Sequence, residues 1–193
     1  MKHMLAGAVL AQVLIFFAGS VLAAPLLPEG ASVSDAKALL SYTPESNPGG
    51  TDFDVADRAA IENLIYAYSF AYDNGAADAW FSLFTDDAVF VAGVPGEGAV
   101  SFTGEGFRDF WRERMKEFAT SGNMRRHLMS NILFLDQTAD TAHVSVVGLL
   151  TNAKDGKTFS TVSSLNYEGW LAKGPQGWKI KRWHDFPDSA VPE

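Results

Sequence analysis

The chain has 193 residues, of which 47% are hydrophobic and 12% aromatic, so we expect one folded domain with enough apolar surface for a core and a pocket. The formal net charge of -8 disfavours phosphate-rich partners, and no basic stripe with interleaved aromatics is present. We therefore expect no nucleic acid as a partner. The lack of cysteine excludes disulfides, thiolate nucleophiles and cysteine zinc sites.

The start of the chain has the pattern of a signal peptide. A basic first segment precedes an apolar run from Met4 to Phe17, and a small-residue cleavage site ends at Ala23. We predict a signal peptide over residues 1–23, an exported protein that is periplasmic or secreted, and no stable membrane anchor after cleavage. An uncleaved anchor is the alternative, because residues 4–24 nearly span a bilayer, although no basic stop-transfer cluster follows.

The remaining chain divides by composition. Residues 24–56 are rich in proline and glycine, which predicts an extended arm. Regular hydrophobic periodicity then indicates a folded domain over residues 57–188, and residues 189–193 are interpreted as a tail.

Three amphipathic helices are predicted from apolar residues that recur at three- and four-residue steps. The first begins at Asp57 and ends at Asn74-Gly75, a pair typical of a helix C-terminus. The second covers residues 76–84 and stops at the turn-forming residues 85–87. The third covers residues 104–120.

The sheet is predicted from alternating or continuously apolar segments. Strands at 88–92 and 99–103 form a hairpin. Turn-forming residues separate the four longer strands of a meander, at 124–136, 141–153, 158–172 and 177–186. The predicted fold class is α+β, a cone-shaped barrel in which a curved antiparallel sheet of about six strands wraps on three helices and leaves a cavity at its open end.

Three stretches carry a family pattern: residues 68–75 (Tyr-Ser-Phe-Ala-Tyr-Asp-Asn-Gly), 80–88 (Trp-Phe-Ser-Leu-Phe-Thr-Asp-Asp-Ala) and 126–131 (Arg-His-Leu-Met-Ser-Asn). In this order of elements they resemble SnoaL-like proteins of the nuclear-transport-factor-2-like superfamily, over about residues 55–188. The resemblance implies the fold above. It leaves the activity open, because this superfamily contains dehydratases, isomerases, cyclases, dioxygenase small subunits and binding domains.

At the site, the chain is most similar to scytalone dehydratase and bile-acid dehydratases, which place Tyr and Asp on the first helix and His on the first long strand. Tyr68, Tyr72, Asp73 and His127 match that pattern. The resemblance implies a cofactor-independent lyase or isomerase, with His127 and Asp73 as an acid-base pair and the tyrosines as hydrogen-bond donors.

Two positions depart from family patterns. A second ionisable partner, which these dehydratases draw from the following strand, would fall at about 150–152 and is not found there. The first helix is also similar to that of ketosteroid isomerase, with Tyr68 at the oxyanion-hole position, but the catalytic base position of that enzyme falls near Ala92.

Geometry limits which candidates can meet. Tyr68 and Tyr72 are one turn apart on one helix face, whereas Asp73 must reach across the helix end. His127 shares one side of its strand with other candidates by the two-residue period. We predict the catalytic residues His127, Asp73, Tyr68 and Tyr72, and the substrate-binding residues Asn131, Trp80, Met129 and Asn152.

The other histidines are interpreted as structural, because His143 and His184 lack comparable support, and Trp183-His184-Asp185 alternate faces and so cannot form a triad. No histidine spacing indicates a metal site, and no glycine-rich loop indicates a cofactor, so none is expected.

Two functions fit these patterns. One is a dehydratase or isomerase acting on a hydrophobic, carbonyl-bearing small molecule. The other is a non-catalytic domain for small-ligand binding or dimerisation, and a homodimer through the outer face of the sheet is expected in either case.

Overall fold

A computed structural model describes residues 49–51, 53–94 and 98–189. The predicted signal peptide, nearly all of the predicted arm and most of the tail lie outside the described residues. Helix α1, Val55–Asp73, begins where the Asp54 side chain accepts hydrogen bonds from two backbone N–H groups of the first turn. It ends before Gly75, whose φ of 66° lets the chain turn back, as the sequence predicts.

Helix α2, Ala77–Phe81, is shorter than predicted, and strand β1, Phe84–Val94, begins four residues early. The reason is long-range pairing: the Leu83 carbonyl already accepts a hydrogen bond from the Ile180 N–H, at 2.8 Å. The prediction of a turn at 85–87 is therefore wrong, because these residues lie in β1. They lie where its pairing register shifts, between Phe84 and Val89.

The remaining elements agree with the predicted positions to within one or two residues at each end, and the third helix agrees at both ends. They are strand β2 (Gly98–Thr103), helix α3 (Gly104–Thr120) and strands β3 (Asn123–Gln137), β4 (Thr141–Lys154), β5 (Thr158–Gly174) and β6 (Gly177–Pro187). The α+β class and the six strands are confirmed.

The sheet has the order β2-β1-β6-β5-β4-β3 and is curved but not closed, so the prediction of a barrel is corrected. Within the described residues β2 and β3 are its two edges. The pairing of β1 with β6 is parallel, which corrects the prediction of a wholly antiparallel sheet. These two strands are about 90 residues apart in the sequence, so no local turn pattern predicts their pairing.

The inner face of the sheet packs on the helices through a large aromatic cluster. Two glycines make room for it. A Cβ on Gly148 would lie 2.6 Å from the Tyr167 ring, and one on Gly169 would lie 2.5 Å from the Trp183 ring. Both rings are fully buried and contact Tyr68 of α1, so the sheet and the helix share one core.

No helix in the described part of the chain is long and apolar enough to cross a membrane.

Candidate active site

A histidine and a carboxylate meet between α1 and β3. Asp73 Oδ1 lies 2.6 Å from His127 Nδ1, and Asp73 Oδ2 accepts the backbone N–H of His127 at 2.8 Å. Both side chains are nearly buried, with 9% of His127 and 4% of Asp73 exposed. Asp73 therefore reaches across the end of its helix to His127, as the sequence predicts.

This double contact fixes the imidazole. An ionised carboxylate only accepts hydrogen bonds, so His127 donates from Nδ1 and its lone pair lies on Nε2. The backbone contact has its own cause: β3 is an edge strand, and Asp73 pairs one N–H group that the sheet leaves without a partner. Asp73 thus sets both the orientation and the tautomer of a potential base.

Tyr72 lies directly against the pair. Its ring meets the His127 ring edge-on, with centroids 5.2 Å apart. Tyr68, one turn earlier, is 2% exposed and lies deeper, among Trp80, Trp183 and Tyr167. Burial raises the pKa of both tyrosines far above its usual range, so their hydroxyls remain protonated donors at neutral pH.

The predicted binding residues divide into two groups. Trp80 is fully buried and Met129 packs against the aromatic core, so both lie on the inner side of the sheet. Asn131, in contrast, is exposed with φ 49°, where the register between Ser130 and Leu133 shifts. The prediction that Asn131 shares a cavity wall with His127 is wrong, because this irregularity breaks the two-residue alternation.

Asn152 lies beside Arg125 instead of His127, whose neighbour on β4 is Leu150. The Asn152 amide oxygen accepts a hydrogen bond from Arg125 Nε at 3.0 Å. Burial lowers the pKa of Arg125 to about 10, and its guanidinium lies over the Phe118 ring. Asn152 therefore positions a buried cation close to the site.

Two clefts open next to this cation. One, of about 380 Å³, is bordered by Tyr72, Asp73, Met115, Phe118 and Arg125, together with glycines at the ends of α1 and α3. The other, of about 430 Å³, shares Phe118 and continues toward Asn152 and Lys154. The Tyr72 and Asp73 side of the site thus borders a cleft with an apolar wall and two arginines, Arg125 and Arg126.

Asp185 is a second acid that sequence reasoning missed. It lies on β6, with Tyr167 on β5 and Ala92 on β1 as its Cα partners. Its Oδ1 is buried and has no hydrogen-bond partner among the described residues. Burial raises the pKa of Asp185 to about 6, and the nearby His127 opposes that rise when it is charged.

The available signal for Asp185 was alternation. Trp183 faces the core, so Asp185, two residues later, faces it too. The same alternation excludes a triad of the three sequence neighbours Trp183, His184 and Asp185. The position near Ala92, where the pattern of ketosteroid isomerase has its catalytic base, lies directly beside Asp185 on the adjacent strand.

A second histidine–carboxylate pair lies on the outer face. His143 Nε2 contacts Glu168 Oε1, the His143 ring stacks on Trp170, and Glu168 is fully buried. His184 accepts a hydrogen bond from Arg182 Nε, and burial followed by the Arg182 charge lowers its pKa to about 4. Within the described residues, no group of three or more acidic or histidine side chains is placed to hold a metal ion.

Comparison with known families identifies the domain. The model of the SnoaL-like domain family matches residues 54–184, which is more than half of the chain. The chain belongs to the SnoaL-like domain family. No curated protein matches it significantly.

Solved structures give the same fold. A candidate aromatic ring hydroxylase from Novosphingobium aromaticivorans is 25% identical, over 73% of this chain and 95% of its own, with a TM-score of 0.59. A candidate scytalone dehydratase from the same bacterium is 20% identical, over 72% and 89%, with a TM-score of 0.59. The β subunit of a candidate aromatic-ring-hydroxylating dioxygenase, again from that bacterium, is 15% identical over 72% and 95%, also with a TM-score of 0.59.

Proposed function

We propose that this SnoaL-like protein binds a hydrophobic, carbonyl-bearing small molecule and dehydrates or isomerises it without a cofactor. The proposal depends on the contact between Asp73 Oδ1 and His127 Nδ1, which are 2.6 Å apart on two nearly buried side chains. A base with a fixed tautomer and an ordered ring is what proton abstraction next to a carbonyl requires.

The reaction begins with proton transfer. His127 Nε2 takes a proton from the carbon next to the substrate carbonyl, and Asp73 stabilises the imidazolium that forms. Tyr72 or Tyr68 donates a hydrogen bond to the enolate oxygen. If a hydroxyl stands at the β position, water leaves and a double bond remains. If it does not, return of the proton to another carbon isomerises the substrate.

The likeness of site residues to scytalone and bile-acid dehydratases supports a fused-ring substrate. Aromatic rings pack closely on the inner face, with the Tyr68 and Trp80 rings tilted at 52° and their centroids 5.3 Å apart, and such a surface suits a flat, apolar molecule. The candidate scytalone dehydratase among the structural neighbours has the same fold.

Export and dimerisation are part of the proposal. The signal-peptide pattern of residues 1–23 supports a periplasmic or secreted location. On the outer face, Leu128 and its β4 partner Leu149 are 50% and 39% exposed, with Val147 close by at 38%. Exposed apolar side chains side by side on a sheet support a homodimer through this face.

The test is turnover of bicyclic β-hydroxy ketones such as 3-hydroxy-1-tetralone, whose dehydration to 1-naphthol is followed by absorbance. We expect turnover by the wild type and a loss of at least 10²-fold in His127→Ala. His143→Ala is the matched control, because it removes a histidine that also pairs with a carboxylate but lies on the other face. Equal rates for the wild type and His127→Ala contradict the enzyme hypothesis.

A non-catalytic binding protein is the second candidate, and one observation favours it. Leu150 is the β4 neighbour of His127, so the strand that supplies a second ionisable partner in the dehydratases supplies an apolar one here. In that case native mass spectrometry of the purified protein shows an apolar ligand that is released unchanged, and the ketone panel binds without conversion.

A further inference from the structure

Asp185 and Tyr167 form a polar pair on the inner face of the sheet. They are Cα partners across β5 and β6, so their side chains leave the sheet on the same side. The Tyr167 ring packs against Tyr68 and Trp183, with centroids 6.2 Å and 5.5 Å away. The pair therefore lies at the base of the aromatic cluster that also contains the candidate oxyanion donor.

Both members of this pair have an unused hydrogen-bonding atom. Tyr167 OH and Asp185 Oδ1 are buried, and neither has a hydrogen-bond partner within the part of the chain described. Buried polar atoms are normally paired, and an isolated one is destabilising by several times the thermal energy. As a residue, Asp185 is nevertheless half-buried and not fully enclosed.

Ionisable groups from three elements face Asp185. A charge on His127 of β3 lowers the pKa of Asp185. In turn, the Asp185 charge raises the pKa of Tyr68 and Tyr72 on α1 and of Tyr167 on β5. Strand β1 contributes only Ala92 at this level. Asp185 and His127 are thus two proton-transfer groups on different strands of the inner face, close enough for the charge of one to act on the other.

We propose that the carboxyl of Asp185 is a second catalytic group, which binds the hydroxyl that the substrate loses and transfers a proton to it, with the Tyr167 hydroxyl beside it. This role rests on the proposed function and makes its substrate class narrower: a β-hydroxy ketone whose carbonyl faces the first-helix tyrosines and whose hydroxyl faces β6. It also supplies the ionisable partner that β4 does not.

The proton balance closes within the site. His127 Nε2 takes the proton from the carbon next to the carbonyl, and the electron pair of that C–H bond becomes the new C=C bond. The C–O bond at the β carbon breaks as the Asp185 carboxyl proton moves to the leaving oxygen, which departs as water. The proton on His127 then passes to the Asp185 carboxylate, which restores both groups. The elevated pKa of Asp185, about 6, keeps a protonated fraction near neutral pH.

The experiment compares full-length wild type, Asp185→Asn, Tyr167→Phe and the control Asp188→Asn. Asp188 is an exposed carboxylate at the end of the same strand, bound to Ser164 and Asn166, and is outside the site. The probes are 3-hydroxy-1-tetralone and its deoxy analogue 1-tetralone. The readouts are kcat across pH and the ratio of the two binding constants, which a merely structural role of Asp185 does not move selectively.

We expect Asp185→Asn to lower kcat on the order of 10²-fold and to remove the decline in rate that the wild type shows above pH about 6. The preference for the hydroxy ketone over 1-tetralone falls about 10-fold in Asp185→Asn and also falls in Tyr167→Phe. Asp188→Asn stays within about 2-fold of the wild type in both readouts.

Two negative results are distinguishable. If the wild type turns over the hydroxy ketone and Asp185→Asn matches it in kcat, pH profile and hydroxyl preference, the role of Asp185 is overturned and the proposed function stands. If the folded wild type converts no ketone of the panel, the proposed function is overturned, and the role of Asp185 with it. Tyr167→Phe keeps the ring in the core, so it still reports on the subsite if Asp185→Asn does not fold.

Discussion

The two faces of the sheet each hold a histidine bound to a carboxylate, and the surroundings of the two pairs differ. On the inner face, Asp73 holds His127 from a neighbouring helix, next to a cleft and on the same face as Asp185, which has a buried oxygen without a partner among the described residues. On the outer face, Glu168 holds His143 from the adjacent strand, under the Trp170 ring. The inner pair is therefore suited to catalysis, and the outer pair to stabilising the fold. The difference lies in the groups that surround each imidazole ring.

We expect the strongest change from a substitution in the inner pair, and it concerns turnover. Asp73→Asn keeps the size of the side chain but allows an amide to donate to His127 Nδ1, which favours the wrong tautomer. We expect kcat for the hydroxy ketone to fall on the order of 10³-fold. Steady-state kinetics together with a melting curve measure it. An unchanged kcat in a folded Asp73→Asn protein removes the distinction between the faces.

The reciprocal change on the outer face affects stability. Glu168→Gln removes the charge from a fully buried hydrogen bond to His143, so we expect the free energy of unfolding to fall by about 3 kcal/mol. Turnover per folded molecule stays within about 2-fold of the wild type. Urea unfolding and active-site kinetics on the same sample test this, and a selective loss of turnover assigns function to the outer pair as well.

Asp185 gives the opposite sign. Its folded-state pKa of about 6 lies above the value of 3.8 for an unburied carboxyl, so the folded state loses stability as pH rises from about 4 to 6. Asp185→Asn removes this charged-state penalty and raises the free energy of unfolding by about 2 kcal/mol at pH 7, after allowance for its partial accessibility. The gain disappears near pH 4. Unfolding curves at pH 4 and 7 check it, and a destabilised variant at pH 7 contradicts it.

The smallest effect belongs to the surface. Arg112 binds Asp78 through two nitrogens at 3.0 Å, but the two side chains are 51% and 90% exposed. Solvent screening makes such a pair weak, so Arg112→Ala changes the free energy of unfolding by less than about 0.5 kcal/mol. Thermal unfolding of this variant measures how much a surface ion pair contributes, for comparison with the two buried pairs. A change above about 1 kcal/mol contradicts the expectation that the surface pair is weak.

Local patterns predicted much of this structure. The apolar spacing from Ile61 to Tyr72 and the Asn74-Gly75 pair placed α1, and alternation with turn residues placed β3 to β6 within two residues. These features depend on neighbours in sequence, so sequence contains them. The parallel pairing of β1 with β6 and the early start of β1 depend on contacts between distant segments, and no local pattern records them.

Part of the candidate site was also predictable from the sequence. The family pattern named Tyr72, Asp73 and His127, and the described contacts bring these three together. The prediction for Asn131 was wrong because the pairing register of β3 shifts between Ser130 and Leu133, which turns the Asn131 side chain away from the face of His127. Asp185 was missed because its neighbours in space, Tyr167 and His127, come from other strands, and a residue in a Trp-His-Asp run has no separate signal of its own.

The proposed chemistry depends on Asp73, which fixes His127 with its proton on Nδ1 and its lone pair on Nε2. Nitrogen-15 NMR of the His127 ring, at a pH where the ring is neutral, measures this directly, with Asp73→Asn for assignment of the effect. We expect a protonated Nδ1 and a bare Nε2 in the wild type, and a mixture of tautomers in Asp73→Asn. A wild-type spectrum with a bare Nδ1 and a protonated Nε2 contradicts it.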